Sequence, residues 1–252
     1  MYKKMDGFAI VTGSARGLGA AMVRQLAKEG YDVLINHVSD SSKPIAQALA
    51  EEVKKEYGVG AIVFQGSIED YSTCKAMVDA GVAAFGEKIA VLVNNAGIQH
   101  SNRFEDMTPE EYEHLIKVEL LGSMHCTHIV LPYMQKAKDG CIVFITSVAG
   151  ICGPEGQADY SAAKAGMHGF MRVLNNENVR NNIRVNCIAP GAFRTEIFDY
   201  FPKEVVEEIT AGIPMHRMGE PVECAECLSY IINAKYLSGQ IISPNGGGTT
   251  FG

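Results

Sequence analysis

Thr12-Gly13-Ser14-Ala15-Arg16-Gly17-Leu18-Gly19 follows the apolar run Phe8-Ala9-Ile10-Val11 and opens a helically spaced segment at 18–29. A glycine-rich turn placed between a strand and a helix has a specific use. Glycines let the chain turn tightly and approach a pyrophosphate, while the helix start offers free N–H groups and a partial positive charge. Outward from this turn the hydrophobic pattern alternates between two periods. Short β-branched runs stand at 8–12, 32–36, 61–65, 89–94, 141–146, 183–188 and 240–243, and helical spacing at 18–29, 44–57, 72–85, 109–134, 160–179 and 222–232. Val91-Leu92-Val93 and Ile142-Val143-Phe144-Ile145 are apolar at every position, as strands covered by helices on both faces must be. The alternation predicts one α/β domain over residues 1–252: a single Rossmann-type, doubly wound fold with a seven-stranded parallel sheet and helices on both faces. Thr108-Pro109-Glu110-Glu111 reads as a capping box with Pro at the first helical position. The stretch 192–218 stands off the alternation, where a substrate loop or lid belongs.

Composition narrows the function classes. The 252 residues carry 22 Lys+Arg against 29 Asp+Glu, a net charge of −7, with 47% hydrophobic and 20% charged residues. That is globular composition. Mild acidity without a basic block argues against a nucleic-acid surface. No apolar run approaches the ~20 residues that span a bilayer, and Met1-Tyr2-Lys3-Lys4-Met5-Asp6 lacks the apolar core of a signal peptide. The expectation is a cytoplasmic protein with neither nucleic-acid nor membrane partners. Seven scattered cysteines fit reduced thiols. Cys224-Ala225-Glu226-Cys227 reads as two ordinary helical cysteines, and His125 and His128 have no evident third ligand, so no metal is expected.

Cofactor choice is readable about 18 residues beyond the last glycine, where an acidic residue would hold a ribose 2′-hydroxyl and repel a 2′-phosphate. Here the run is Asn36-His37-Val38-Ser39, with no carboxylate before Asp40, and Arg16 in the glycine turn supplies a cation. These features favour NADP over NAD. Tyr160-Ser161-Ala162-Ala163-Lys164 places Tyr and Lys on one helix face. A tyrosine with pKa about 10 needs lowering by about 3, or ~4 kcal/mol, to work as an acid–base group at neutrality. One ammonium about 4 Å away supplies ~4 kcal/mol at an effective dielectric near 20. Ser147 ends an apolar strand at the sheet's carboxyl edge, where a hydroxyl can orient a carbonyl.

With these residues in order, the sequence resembles the short-chain dehydrogenase/reductase family, nearest its 3-oxoacyl-acyl-carrier-protein reductase branch. The resemblance covers nearly the whole chain, through Thr12–Gly19, Asn94-Asn95-Ala96-Gly97, Ser147, Tyr160/Lys164, Asn186-Cys187-Ile188-Ala189-Pro190-Gly191, Thr195 and Asn245-Gly246-Gly247. It implies Tyr160 as proton donor to a substrate carbonyl, Ser147 polarising that oxygen, and Lys164 depressing the tyrosine pKa and binding the nicotinamide ribose. The implied cofactor-binding set is Gly13, Ser14, Arg16, Gly17, Leu18, Gly19, His37, Ser67, Ile68, Asn95, Ala96, Gly97, Tyr160, Lys164, Pro190, Gly191 and Thr195. Two positions depart from the family pattern. Val118-Glu119-Leu120-Leu121-Gly122 has Glu119 where the family carries the Asn that anchors a relay water, and Ser67 stands where it often carries Asp. Glu119 therefore joins the candidate catalytic set, with the expectation that it raises the pKa of both Lys164 and Tyr160.

The activity expected is NADP-dependent hydride transfer between the cofactor and a ketone or secondary alcohol. The substrate is a 3-oxoacyl thioester or a hydrophobic ketone such as a hydroxysteroid, since 192–218 carries Phe193, Ile197, Phe198, Tyr200, Phe201, Ile209, Ile213 and Met215. The alternative is a catalytically impaired, nucleotide-binding regulatory relative of the same fold, for which Glu119 speaks. The resemblance also implies a homotetramer paired through helices 109–134 and 160–179, with Met124, His125, His128, Met167 and Met171 as contact candidates.

Overall fold

The computed structural model describes residues 5–196, 198 and 201–250. Ile197 and Tyr200 of the apolar lid set, and the first four residues, lie outside them. Seven parallel strands form one sheet: β1 (Phe8–Val11), β2 (Val33–His37), β3 (Ala61–Gln65), β4 (Ile89–Asn94), β5 (Gly140–Ile145), β6 (Ile183–Ile188) and β7 (Ile241–Ile242). Their order is β3-β2-β1-β4-β5-β6-β7. The order reverses between β1 and β4, so their carboxyl ends open the crevice in which such sheets bind ligands.

Period-two alternation divides each strand between two cores. Ala9 and Val11 face a layer built on α1 (Gly17–Lys28), α2 (Lys43–Tyr57) and α9 (Pro221–Asn233), through Met22, Leu26, Val53 and Leu228. Phe8 and Ile10 face α3 (Tyr71–Phe85), α5 (Gly122–Ala137) and α7 (Ala158–Asn178), through Met77, Val130 and Met167. Met167 and Met171, expected at a subunit contact, are core residues of this second layer. That corrects their assignment, because a side chain spent inside its own chain has no surface to offer a neighbour.

Expected and observed element ends agree within a few residues except along 109–134 and in two segments where the pattern predicts no helix. The helix expected over 109–134 is interrupted: α4 (Pro109–Ile116) runs into a π-helical turn, Lys117–Leu121, before α5. The Thr108 capping box is present, with Thr108 N–H donating to Glu111 Oε2 at 2.7 Å. Ser123 Oγ donates to the Glu119 carbonyl at 2.7 Å, a local bond of the kind that accompanies helix irregularities. Two further helices stand in segments without a clear period: α6 (Ala149–Cys152), and α8 (Lys203–Ala211) inside the expected lid. Strand β7 is only two residues long: Pro244 has no N–H to continue the ladder, and Ser243 Oγ donates to the Ala189 carbonyl.

Candidate active site

The glycine turn is stitched to the segment after β4. Thr12 Oγ1 accepts the N–H groups of Asn95 (2.9 Å) and Ala96 (3.0 Å), and Asn95 Nδ2 donates to the carbonyls of Thr12 (2.9 Å) and Gly13 (3.0 Å). Gly13 has φ +59°, and a Cβ there would lie 2.6 Å from Ala96 Cα, so only glycine permits both the turn and the approach. The first turn of α1 holds no acidic residue of its own, although Glu196 Oε2 lies 3.6 Å from where a Gly17 Cβ would stand. A cradle that a single Cβ would fill suits the pyrophosphate of a dinucleotide. Thr195 lies across from Gly17, its Cγ2 3.5 Å from where a Gly17 Cβ would stand. Pro190 and Gly191 pack behind, with Val148 N–H on the Pro190 carbonyl (3.1 Å) and Gly191 N–H on that of Pro244 (3.0 Å).

Several of the expected cofactor residues turn their side chains inward. Ser14 Oγ donates to the Val11 carbonyl at 2.7 Å and its N–H to the Asn36 carbonyl at 2.8 Å, so both of its donors are spent inside the turn. His37 is buried, its Nδ1 within 3.1 Å of the Ser39 carbonyl and 3.2 Å of Ser42 Oγ. Ser67 Oγ accepts the Glu69 N–H at 3.3 Å. Ile68 packs its side chain toward Gly122 and accepts from Cys74 Sγ at 3.2 Å. Arg16 is exposed and lines a cavity of about 430 Å³ with Gly17, Ala20, Arg24, Arg194, Thr195 and Glu196. Within it Arg24 is held by Glu52 at 2.6 and 2.8 Å, and Arg194 by Glu220 at 3.2 Å. Arg24 and Arg194 were not anticipated, since each comes from a different element and neither carries a local motif.

At the carboxyl edge, Ser147, Tyr160, Lys164 and Glu119 come together. Lys164 Nζ donates to the Ile145 carbonyl at 2.9 Å, lies 2.7 Å from Glu119 Oε2 and stands 5.3 Å from the centroid of the Tyr160 ring. The side chains of the ion pair are only 4% and 1% exposed. Glu119 Oε1 accepts the Ile98 N–H at 2.9 Å, and a Cβ on Gly97 would lie 2.4 Å from it, so the carboxylate fills the space that Gly97 leaves. Ser147 stands close enough to the Tyr160 phenol to favour the phenolate.

Charge and burial then compete. Burial alone would lower the Lys164 pKa, but the carboxylate beside it raises it above the ordinary lysine value. Burial raises the Glu119 carboxyl, against the opposing pull of Lys164. The Tyr160 phenol is pushed up, first by burial and then by Glu119, against Lys164 and Ser147, which pull it down. The simple expectation that one lysine brings Tyr160 down to neutrality is therefore corrected. The lysine's field is there, but Glu119 consumes part of it and desolvation outweighs the rest.

The lid region is partly body and partly surface. Phe193 packs on Gly219 and Ile213 is buried, whereas Phe198 and Phe201 stack on each other at 5.6 Å and Met215 is exposed. Its basic residues are all paired, Arg194 with Glu220, Lys203 with Glu207 and Arg217 with Glu223. Cys224 and Cys227 sit in α9 as free thiols, and His128 Nδ1 lies 3.0 Å from Tyr71 Oη. Sequence reasoning missed His100 and Asp159, which meet beside Tyr160 at 2.8 Å. The only signal was an acidic residue directly before the tyrosine.

Comparison with known proteins agrees with this arrangement. The short chain dehydrogenase family profile matches residues 7–205. The 3-oxoacyl-(acyl-carrier-protein) reductase FabG of Staphylococcus aureus is 36% identical over 246 residues, covering 97% of this chain and 98% of that protein. The acetoacetyl-CoA reductase of Shinella zoogloeoides is 38% identical over 248 residues, 96% of this chain and 98% of its own. Among solved structures, levodione reductase superposes with a TM-score of 0.90 at 29% identity, covering 97% and 98% of the two chains. No helix among the described residues is long and apolar enough to cross a membrane. The chain belongs to the short-chain dehydrogenase family and is an oxidoreductase.

Proposed function

We propose that this enzyme reduces the 3-oxo group of an acyl thioester to the 3-hydroxy compound, with NADPH as hydride donor. The observation that carries the reading is the convergence of Ser147, Tyr160 and Lys164 at the carboxyl edge of β5, beside the glycine cradle. The bound nicotinamide would supply the hydride to the carbonyl carbon. Ser147 donates a hydrogen bond to the carbonyl oxygen, and Tyr160 gives that oxygen its proton as the alcohol forms. Lys164 biases Tyr160 toward releasing the proton, and Glu119 fixes Lys164 in place at the expense of part of that bias. The thioester class follows from the FabG and acetoacetyl-CoA reductase relatives.

The preference for NADPH rests on the end of β2. His37 faces inward, and the first carboxylate after it, Asp40, accepts from Gln65 Nε2 at 2.9 Å. The end of β2 itself thus carries no acid to hold a ribose 2′-hydroxyl, and exposed Arg16 is available to a 2′-phosphate. Assembly as a cytoplasmic homotetramer through the outer faces of α5 and α7 belongs to the same reading. The Glu119–Lys164 ion pair is the one feature in favour of an impaired nucleotide-binding relative.

The test is reduced-cofactor consumption with acetoacetyl and longer 3-oxoacyl thioesters, simple ketones and a steroid ketone, using NADPH and NADH. Turnover fastest on the thioesters with NADPH supports the reading. Turnover confined to the steroid or simple ketones would move the substrate class, and none with any would favour the impaired relative. Arg16→Ala should weaken NADPH binding about tenfold or more, the scale of one charge-assisted contact to phosphate, and leave NADH nearly unchanged. Equal losses for both cofactors would remove Arg16 from the account.

A further inference from the structure

Beside the Glu119–Lys164 pair the site buries a second carboxylate. The Asp159 side chain is 1% exposed, and each of its oxygens lies against a nitrogen. Oδ1 accepts the backbone N–H of Tyr160 at 2.8 Å, and Oδ2 lies 2.8 Å from His100 Nε2.

The placement gives the pair a task. Tyr160 stands in the first turn of α7, where backbone N–H groups have no intrahelical acceptor. Gln157, at the cap position, makes no side-chain hydrogen bond, so the acceptor for the Tyr160 N–H comes from Asp159 instead. His100 belongs to the segment after β4, which follows directly from the Asn95–Gly97 edge of the cofactor cradle. Farther out, two ties join the same segments: Asn102 N–H to the Gly156 carbonyl at 2.9 Å, and Arg103 to Glu155 at 2.9 Å. Of these ties only Asp159–His100 reaches the tyrosine. On its inner side, the Asp159 charge is felt by Glu119.

We propose that Asp159 and His100 are a positioning pair for Tyr160: Asp159 fixes the tyrosine's backbone at the start of α7, and His100 anchors Asp159 to the segment that follows the cofactor cradle. The pair touches neither substrate nor cofactor in this role; it sets where the phenol stands relative to both. This inference rests on the reading of Tyr160 as the proton donor.

Steady-state reduction of acetoacetyl-CoA by the full chain tests it, with NADPH affinity and thermal unfolding measured on every variant. His100→Ala and Asp159→Ala should each lower kcat, by up to about 100-fold if the phenol shifts by about an ångström, while KM and NADPH affinity stay near the parental values. The double variant should be no slower than the slower single, because the residues act as one unit. His100→Gln, which keeps an N–H donor toward Asp159, should recover most of kcat. Parental kcat in either alanine variant, multiplicative losses in the double, or losses confined to KM would overturn the proposal. Should Asp159→Ala fail to fold, the contrast of His100→Ala with His100→Gln decides: equal kcat in the two overturns it. Tyr160→Phe separates the two levels. If Tyr160→Phe still turns over, the catalytic reading itself fails. If it is inactive while the His100 variants are unaffected, only the positioning pair is refuted.

Discussion

Replacing Glu119 by Gln removes one buried charge and nearly preserves shape, so its effect on Tyr160 can be worked from distances. Lys164 Nζ stands 5.3 Å from the tyrosine ring centroid, and Glu119 Oε2 stands 2.7 Å from Nζ. The carboxylate oxygen is therefore at most about 8 Å from the ring, by adding those two distances. At an effective dielectric near 20, the ammonium favours the phenolate by ~3 kcal/mol and the carboxylate opposes it by ~2 kcal/mol or more. Glu119 thus cancels about two-thirds of the help that Lys164 gives, which is why burial prevails and the Tyr160 pKa is raised. Removing the carboxylate should move the pH profile of alcohol oxidation down by about 1.5, from ~2 kcal/mol at 1.36 kcal/mol per pH. Glu119→Asn should shift it in the same direction. Both variants should also lose about 3 kcal/mol of stability or more, because Lys164 is left as a buried ammonium without its counter-charge. The assay is kcat/KM for oxidation of a 3-hydroxyacyl thioester across pH, beside denaturant unfolding. An unchanged profile, or a shift to higher pH, in both variants would refute the electrostatic argument.

Stability offers two further checks. Arg184 is buried in β6, and its guanidinium donates to the carbonyls of Ile231 (2.7 Å), Ile232 (3.0 Å), Leu237 (3.1 Å) and Ala234 (3.3 Å), capping the end of α9. Arg184→Leu should cost about 3 kcal/mol or more, since several buried carbonyls lose their donor, and denaturant unfolding with an unchanged midpoint would contradict this. His168 is pushed down from 6.5 to about 4, first by burial and then by Arg172 and Lys164, with Nε2 3.0 Å from Thr146 Oγ1. The unfolded chain therefore takes up that proton first. Stability from this group is complete above about pH 6.5 and is lost, by roughly 3 kcal/mol in all, as pH falls through 4. His168→Gln should flatten the pH dependence of unfolding free energy between pH 4 and 6.5, and an equally steep dependence would assign it to other groups.

The sheet was legible because its signal is local and redundant. Each central strand is apolar on both faces, each helix follows at a regular interval, and the glycine turn fixes which end is which. The Ser147, Tyr160 and Lys164 set was legible for a similar reason, being carried by one strand end and one helix face. The rest depended on three dimensions. Nothing in the run 117–121 announces a π turn, because the irregularity is a matter of backbone register and not of residue type. His100 and Asp159 lie 59 positions apart in the chain and meet only once β4 and α7 are packed. Met167 and Met171 were misplaced because an apolar residue on an amphipathic helix has the same periodicity whether it faces its own sheet or a neighbour. Ser14 and His37 belong to the implied cofactor set by their place in the chain, and no sequence signal shows that their polar atoms bond to the groups around them.

The proposed function turns on Tyr160 protonating a substrate carbonyl beside a cofactor cradle built mainly from other residues. The most direct measurement compares the parental chain with Tyr160→Phe for NADPH consumption in the presence of acetoacetyl-CoA, with NADPH binding followed separately by fluorescence. The account predicts steady consumption by the parental chain, a loss of at least about 100-fold in the variant, as removal of a general acid requires, and unchanged NADPH affinity. Comparable consumption by both chains would contradict it.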